Sequence, residues 1–306
     1  MRSKIALISA GFLALTISHD AHAFMHIVKP GESLAQIAQR VYGDPKLETV
    51  LAGANALDSE GGSAPVAGMR LEVPAPKYHH VAAGETWPAL STVWLGDAKR
   101  ADVLARANHG VSWIAPEEGR EIVIPYVLTV IANESDRMDQ IAKRYLGDPN
   151  RAWELDAYNS RKPTGNGQTK PLVRGEIILV PLVDLALTDA GKTEAKGGGE
   201  ATRDEGAGAT LDVQRRAESE LPLLQADVAA GRYVEAAGRG NRILGSGEVT
   251  KSQQALVYRA LLDAYVALDS AQAAAGACAA WRAIEPKKKL DPVSVSPKIR
   301  AACPTK

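Results

Sequence analysis

Six histidines, two cysteines and 36 acidic residues are the side chains on which catalysis could be built in this chain. Every histidine (His19, His22, His26, His79, His80 and His109) lies at or before position 109. The cysteines, Cys278 and Cys303, lie far beyond them. Cys278 therefore has no imidazole in its own region to activate it, and that region lacks the ligand set of a zinc peptidase. Carboxylates are plentiful, but a glycosidase needs a cleft-bearing domain to hold its acid pair. The alanine-rich C-terminal stretch offers little room for one. The expectation is a chain that is not an enzyme, with no catalytic residues, no metal and no cofactor. His79-His80 reads as an exposed pair at a strand start.

What recurs along the chain is a set of glycines, aspartates and asparagines. Val41-Tyr42-Gly43-Asp44 returns as Trp94-Leu95-Gly96-Asp97 and as Tyr145-Leu146-Gly147-Asp148, roughly fifty residues apart each time. Asn55, Asn108 and Asn159 follow these pairs. Each copy closes on an apolar run ending in proline: Leu71-Glu72-Val73-Pro74, Ile122-Val123-Ile124-Pro125 and Ile178-Leu179-Val180-Pro181. Each opens on a strand-like start, at His26-Ile27-Val28, His79-His80-Val81 and Leu128-Thr129-Val130.

These landmarks need elements to position them. In the first copy Ser33 can cap a helix, along which Leu34, Ile37, Ala38 and Val41 recur at helical spacing. Gly43 ends that helix. Asp44-Pro45 starts the next, with Asp as cap and Pro at the first position. Leu47, Val50, Leu51 and Ala54 form its apolar stripe, and Asn55 ends it. A loop through Gly68 leads to a second strand. Strand, helix, helix, strand is the expected unit, with its two short strands paired. Fifty residues is near the lower limit for independent folding.

The order Gly-Glu-Ser-Leu, Ile-Ala, Tyr-Gly-Asp, Asn, Gly-x-x-Leu, Val-Pro resembles the LysM domain family. Copy two reads Gly84-Glu85-Thr86-Trp87, Leu90, Gly96-Asp97, Asn108, Gly119-Arg120-Glu121-Ile122, Ile124-Pro125. Copy three reads Asn133-Glu134-Ser135, Met138, Ile141-Ala142, Gly147-Asp148, Asn159, Gly175-Glu176-Ile177-Ile178, Val180-Pro181. The resemblance implies binding of polymers containing N-acetylglucosamine, chiefly the glycan strands of peptidoglycan. It places a groove between the turn after the first strand and the loop before the second. In copy one those residues are Gly31, Glu32, Ser33 and Leu34 facing Asn55, Ala56, Leu57 and Asp58. In copy two they are Gly84, Glu85, Thr86 and Trp87 with Asn108, His109 and Gly110. In copy three they are Asn133, Glu134 and Ser135 with Asn159. The asparagines read better as helix ends than as sugar contacts. Trp87 reads as core or as a stacking platform. Copy three reads as having Asn133 in place of Gly31 and two extra residues before Met138, so copies one and two look the more faithful.

Residues 185–211, with Gly197-Gly198-Gly199 and mixed Ala, Thr, Lys and Glu, read as a flexible exposed linker. Beyond it Gly231-Arg232-Tyr233-Val234-Glu235-Ala236-Ala237 resembles the middle of a tetratricopeptide repeat. Tyr258, Leu262, Tyr265, Ala274, Cys278 and Pro286 fit a second helix pair. Cys278 and Cys303 could be bonded, which would pin the terminal segment to the last long helix, or could be two buried thiols.

Arg2 and Lys4, the uncharged run Ile5 to Ile17 and Ala21-His22-Ala23 have the layout of a secretory signal peptide cut after Ala23. The run is shorter than the ~20 residues of a spanning helix. An exported, periplasmic protein without a membrane anchor is expected. Its 36 basic and 36 acidic residues balance, which argues against a nucleic-acid partner. The expected organisation is α+β: a signal peptide at 1–23, three βααβ LysM modules at 25–76, 77–126 and 127–184, the linker, and an all-α tetratricopeptide-like region at 212–306. The expected role is to dock on peptidoglycan and hold an envelope protein partner through the helical region. The alternative is a wall-remodelling enzyme or a regulator of a peptidoglycan hydrolase.

Overall fold

The structure is a computed structural model that describes residues 23–57, 64–162, 171–197, 208–291 and 295–304. The expected signal peptide lies outside the described residues, apart from Ala23. The fold is mixed α and β, with three small two-stranded sheets followed by a helical C-terminal region. No helix among the described residues is long and apolar enough to cross a membrane.

The first unit runs β1 (Ala23–Ile27), α1 (Leu34–Tyr42), a short 3-10 turn at Pro45–Leu47, α2 (Glu48–Ala54) and β2 (Arg70–Pro74). The second runs β3 (Lys77–His80), α3 (Trp87–Leu95), α4 (Ala101–Ala107) and β4 (Glu121–Ile124). The third runs β5 (Tyr126–Ile131), α5 (Met138–Leu146), α6 (Ala152–Tyr158) and β6 (Ile177–Leu182). Within each unit the two strands pair antiparallel, with His26 opposite Leu71, His79 opposite Ile122 and Val130 opposite Ile178.

Local chemistry sets these elements. Ser33 accepts from the Gln36 N–H at 3.2 Å while the Gln36 side chain accepts from the Ser33 N–H at 2.9 Å, a reciprocal cap. Thr86 caps α3 through the Ala89 N–H. Gly43, Gly96 and Gly147 end the first helices in the left-handed conformation, at φ of 82°, 78° and 75°. Asp44, Asp97 and Asp148 then accept from the N–H two residues on, at 2.9, 2.9 and 2.8 Å, and start a 3-10 turn.

The units do not fold as separate beads. The first and third share one core, in which Phe24, Ile37, Leu51 and Leu71 pack with Leu128, Ile141, Leu155 and Ile178. The second keeps its own core around Trp87, Leu90, Leu104 and Ile122, and takes in Tyr158 from the third.

Residues 185–197 depart from the expected flexible linker. Leu185 is buried. α7 (Asp189–Gly197) lies on α1. Thr188 caps it, accepting from the Gly191 N–H at 3.0 Å, and also donates its own N–H to the Val41 carbonyl at 2.8 Å. A Cβ at Gly191 would sit 2.5 Å from the Val41 carbonyl oxygen, so only glycine permits this approach. Composition alone hid that packing. Residues 198–207, with the rest of the expected linker's glycine run, lie outside the described residues.

The C-terminal region contains α8 (Ala209–Ala229), α9 (Tyr233–Gly245), α10 (Lys251–Ala267), α11 (Ala271–Ile284) and α12 (Pro297–Ala302). Leu224, Ala236, Val257, Leu262, Ala274 and Trp281 lie in their common core. This region is fixed on the second unit. The fully buried Glu121 carboxylate of β4 accepts from the Leu211 N–H in the first turn of α8 at 2.5 Å. Gln214 of α8 accepts from the Glu121 N–H at 3.0 Å and donates to the Gly119 carbonyl at 2.9 Å.

Of the two states left open for the cysteines, the structure has the bond: Cys278 and Cys303 are disulfide-linked, with Cα atoms 5.5 Å apart. It ties α11 to the segment just after α12 across a sequence separation of 25. Closing a loop of that length stabilises the folded state by about 3 kcal/mol in the chain-entropy model. Purified protein is expected to be two hydrogens lighter than its reduced form by mass spectrometry, and to melt at lower temperature with a strong reductant. An unchanged melting temperature after complete reduction would contradict this.

Candidate functional site

The second unit brings its two expected groove walls together. Gly84 turns the chain after β3 at φ of 82°. Trp87, the first residue of α3, is 4% exposed and donates its indole N–H to the Ile114 carbonyl at 2.8 Å. A Cβ at Gly110 would meet the Trp87 ring at 3.3 Å. Trp87 is thus core and a tether for the loop after α4, not a stacking platform. Ser112 hydrogen-bonds the Asp102 carboxylate and anchors the same loop on α4. Held in this way, the loop exposes Val111, Ile114 and above all Trp113, which is 82% exposed. The sequence reading missed Trp113. The signal was a tryptophan and an isoleucine side by side in a loop that falls outside every helical or strand period.

The three asparagines are clips. Asn55 donates to the Leu51 and Glu72 carbonyls, both at 2.8 Å, and accepts from the Glu72 N–H at 2.7 Å. Asn108 joins Leu104 to Val123, and Asn159 joins Leu155 to Leu179, in the same three-bond pattern. Both amide hydrogens are used each time, so these side chains tie the second helix to the second strand and have no donor left for a ligand. The chain turns back directly after each clip. Ala56, His109 and Ser160 take left-handed φ values of 53°, 55° and 54°, a conformation uncommon for residues with a Cβ.

The glutamates of the first turns face inward. Glu85 accepts from the Ala82 N–H and from His79 Nε2, both at 2.8 Å. Its counterpart Glu32 accepts from the Lys29 N–H at 3.0 Å, His26 Nε2 at 2.8 Å and Arg40 at 2.5 Å. Glu194 of α7 completes that cluster, pairing with His26 Nδ1 and with Arg40 Nε at 3.2 Å. Burial works against ionisation of Glu32, but the hydrogen bonds from Lys29, His26 and Arg40 outweigh it and hold its carboxyl at about 2. Gly31 and Ser33 remain exposed beside it, while Leu34 and Leu57 are half-buried. Asp58 lies outside the described residues.

The third unit is in a different register from the one expected. The backbone pairs Ala132 with Glu176 as it pairs Val28 with Met69 and Val81 with Arg120. Asp136 then accepts from the Asn133 N–H at 2.8 Å, as Glu32 does from Lys29. Ser135 therefore stands where Gly31 stands, Asp136 where Glu32 stands and Arg137 where Ser33 stands. No residues are inserted, and Asn133 and Glu134 are not the counterparts of Gly31 and Glu32. The sequence reading was drawn off by the Glu134-Ser135 pair, which mimics Glu32-Ser33 two places early. Ser135 is not left-handed, so this turn differs in backbone from the other two.

Among the described residues no three His, Cys, Asp or Glu side chains gather as a metal site would require. No family model and no solved structure matches the chain. Two curated proteins named as esterases, from two strains of Mycobacterium tuberculosis, are each 28% identical to it over 123 residues. The match covers 40% of this chain and 26% of each relative, so the chain spans about a quarter of their length. The names of these relatives overturn the expectation that the chain is not an enzyme.

The Glu32 cluster gives a test of α7 docking. A carboxyl held at about 2, below its ordinary 4.5, adds stability that is complete above pH 4.5 and is lost as pH falls towards 2. Its size is about 3 kcal/mol. Glu32→Gln is expected to lower stability at neutral pH by that order and to flatten the acid limb of the denaturation profile. A variant with an unchanged acid limb would show that Glu32 does not supply this stability.

Proposed function

We propose that the chain binds glycans containing N-acetylglucosamine, chiefly peptidoglycan strands, through three βααβ units that resemble LysM modules. The observation that carries this reading is the second unit's rim, where Trp113 stands exposed on the loop that Trp87 tethers, in a unit whose first turn is made by the left-handed Gly84. An N-acetyl sugar offers an amide for backbone groups and a methyl for an apolar wall. An exposed indole face can stack on the sugar ring. None of these contacts needs net charge, in keeping with the balanced composition. Units in a fixed arrangement raise the affinity of a long strand only if their spacing suits it. The helical region, which resembles tetratricopeptide repeats, would then place an envelope protein partner beside the wall. Export by a leader ending at Ala23 belongs to the same reading.

The names of the curated relatives favour a second reading, ester hydrolysis. Within the described residues the His79–Glu85 pair, at 2.8 Å, is the kind of imidazole–carboxylate pair that could serve as a base.

Sedimentation with purified peptidoglycan tests the first reading. Trp113→Ala is expected to weaken retention about tenfold, in line with the loss of one aromatic contact, with no change in melting temperature. Equal retention of the variant would sink the role of Trp113, and no retention of the parent would sink the reading itself. Turnover of p-nitrophenyl acetate by the full chain tests the second; a rate no higher than the buffer blank would reject it.

A further inference from the structure

A cleft of about 330 Å³ opens where the second unit, the segment after β6 and α8 meet. Its walls are mixed: Pro76, Val123, Leu185 and Leu187 supply apolar surface, and Tyr78 lines it among the polar groups. Its charged groups converge from separate elements: Arg106 from α4, Lys192 from α7 and Arg215 from α8, with His109 at the rim. Asp184 and Asp212 also line it, but both are already neutralised. Asp184 pairs with Arg151 at 2.7 Å, and Asp212 with Lys192 at 2.5 Å. Arg106 shares its charge with Glu154 at 3.0 Å. Arg215 makes no ion pair or hydrogen bond with any described residue. An exposed guanidinium beside these apolar side chains matches a ligand with small apolar groups and a free carboxylate.

His109 connects this cleft to the rim described above. It follows the Asn108 clip directly, and Gly110 after it touches Trp87. His109 and Gly110 thus join the cleft to the loop that carries Trp113.

Resting on the glycan-binding reading, we infer that this cleft receives the acidic peptide carried by a peptidoglycan strand, with Arg215 pairing its carboxylate while the sugars occupy the second unit. The preferred ligand is then a glycan that bears its peptides, not a bare oligosaccharide.

The full chain and its Arg215→Gln variant would be titrated calorimetrically at low salt with three probes. These are an N-acetylglucosamine tetramer, a peptidoglycan fragment of equal sugar length carrying its peptides, and the free peptide. The parent is expected to bind the peptide-bearing fragment up to about fivefold more tightly than the tetramer, the range of one accessible charge pair. Arg215→Gln should remove that preference and leave tetramer binding unchanged. Equal binding of fragment and tetramer by the parent overturns the inference, as does an equal loss for both ligands in the variant. Free peptide binding as tightly as the fragment would make the cleft a separate peptide site, and overturns the continuous site. If the tetramer fails while the fragment still binds through Arg215, the groove reading falls and the cleft stands. If no probe binds, both fall.

Discussion

A fifty-residue unit of two strands and two helices lies near the lower size limit for a stable core, and much of the architecture answers that constraint. The eighth residue of each unit's first helix shows how. In the first unit it is Val41, whose carbonyl meets Gly191 and Thr188, so that α7 covers this side. In the second unit it is Trp94, which packs its own ring on His79 at 5.6 Å and needs no added helix. In the third it is Tyr145, which lies over Gly53 so closely that a Cβ there would stand 2.8 Å from the ring. One exposed side is thus closed by a following segment, by a larger side chain and by a neighbouring unit. The third solution fuses the first and third cores.

The features that were legible in the sequence are those fixed by a local rule. Gly43, Gly96 and Gly147 must be left-handed to stop a helix, and the Gly-Asp repeat announces that wherever it occurs. Asn55, Asn108 and Asn159 read as helix ends, and the structure adds the strand to which each is clipped. The illegible features depend on partners distant in sequence. Nothing near Glu194 signals that it reaches His26 and Arg40. A polar, glycine-bearing stretch such as 185–197 looks like linker until Gly191 is seen against Val41. The register of the third turn was lost for a related reason. Glu134-Ser135 satisfies the motif by residue type, but strand pairing, which sequence does not show, assigns the roles to Asp136 and Arg137.

The inward-facing glutamates bear on how any ligand can be held. Glu32 gives both oxygens to Lys29, His26 and Arg40, and Glu85 gives one oxygen to the Ala82 N–H and His79. The asparagine amides spend theirs on the clip. Polar side chains that look suited to a sugar are therefore committed to shaping the turn and loop. The loop after α4 in the second unit leaves Val111, Trp113 and Ile114 exposed. Such a surface selects by shape and stacking, and it keeps little of the side-chain hydrogen bonding that the sequence motif suggested.

The loop bearing Trp113 is held at both ends, and its second end belongs to the helical region. Trp87 grips it through the Ile114 carbonyl. At its far end Gln214 of α8 donates to the Gly119 carbonyl, and Glu117 and Glu118 bond to Ser252 and Lys251 at the start of α10. The burial of Glu121 makes this junction costly to open. A carboxylate with no exposed surface is tolerable only while its partners stay in place, and one of those partners is the first turn of α8. Pulling the helical region away would remove the hydrogen bonds that Leu211 and Gln214 make to Glu121. The rim of the second unit and the first helices of the C-terminal region are thus parts of one rigid junction. A load on the helices would reach the loop that carries Trp113 through these hydrogen bonds.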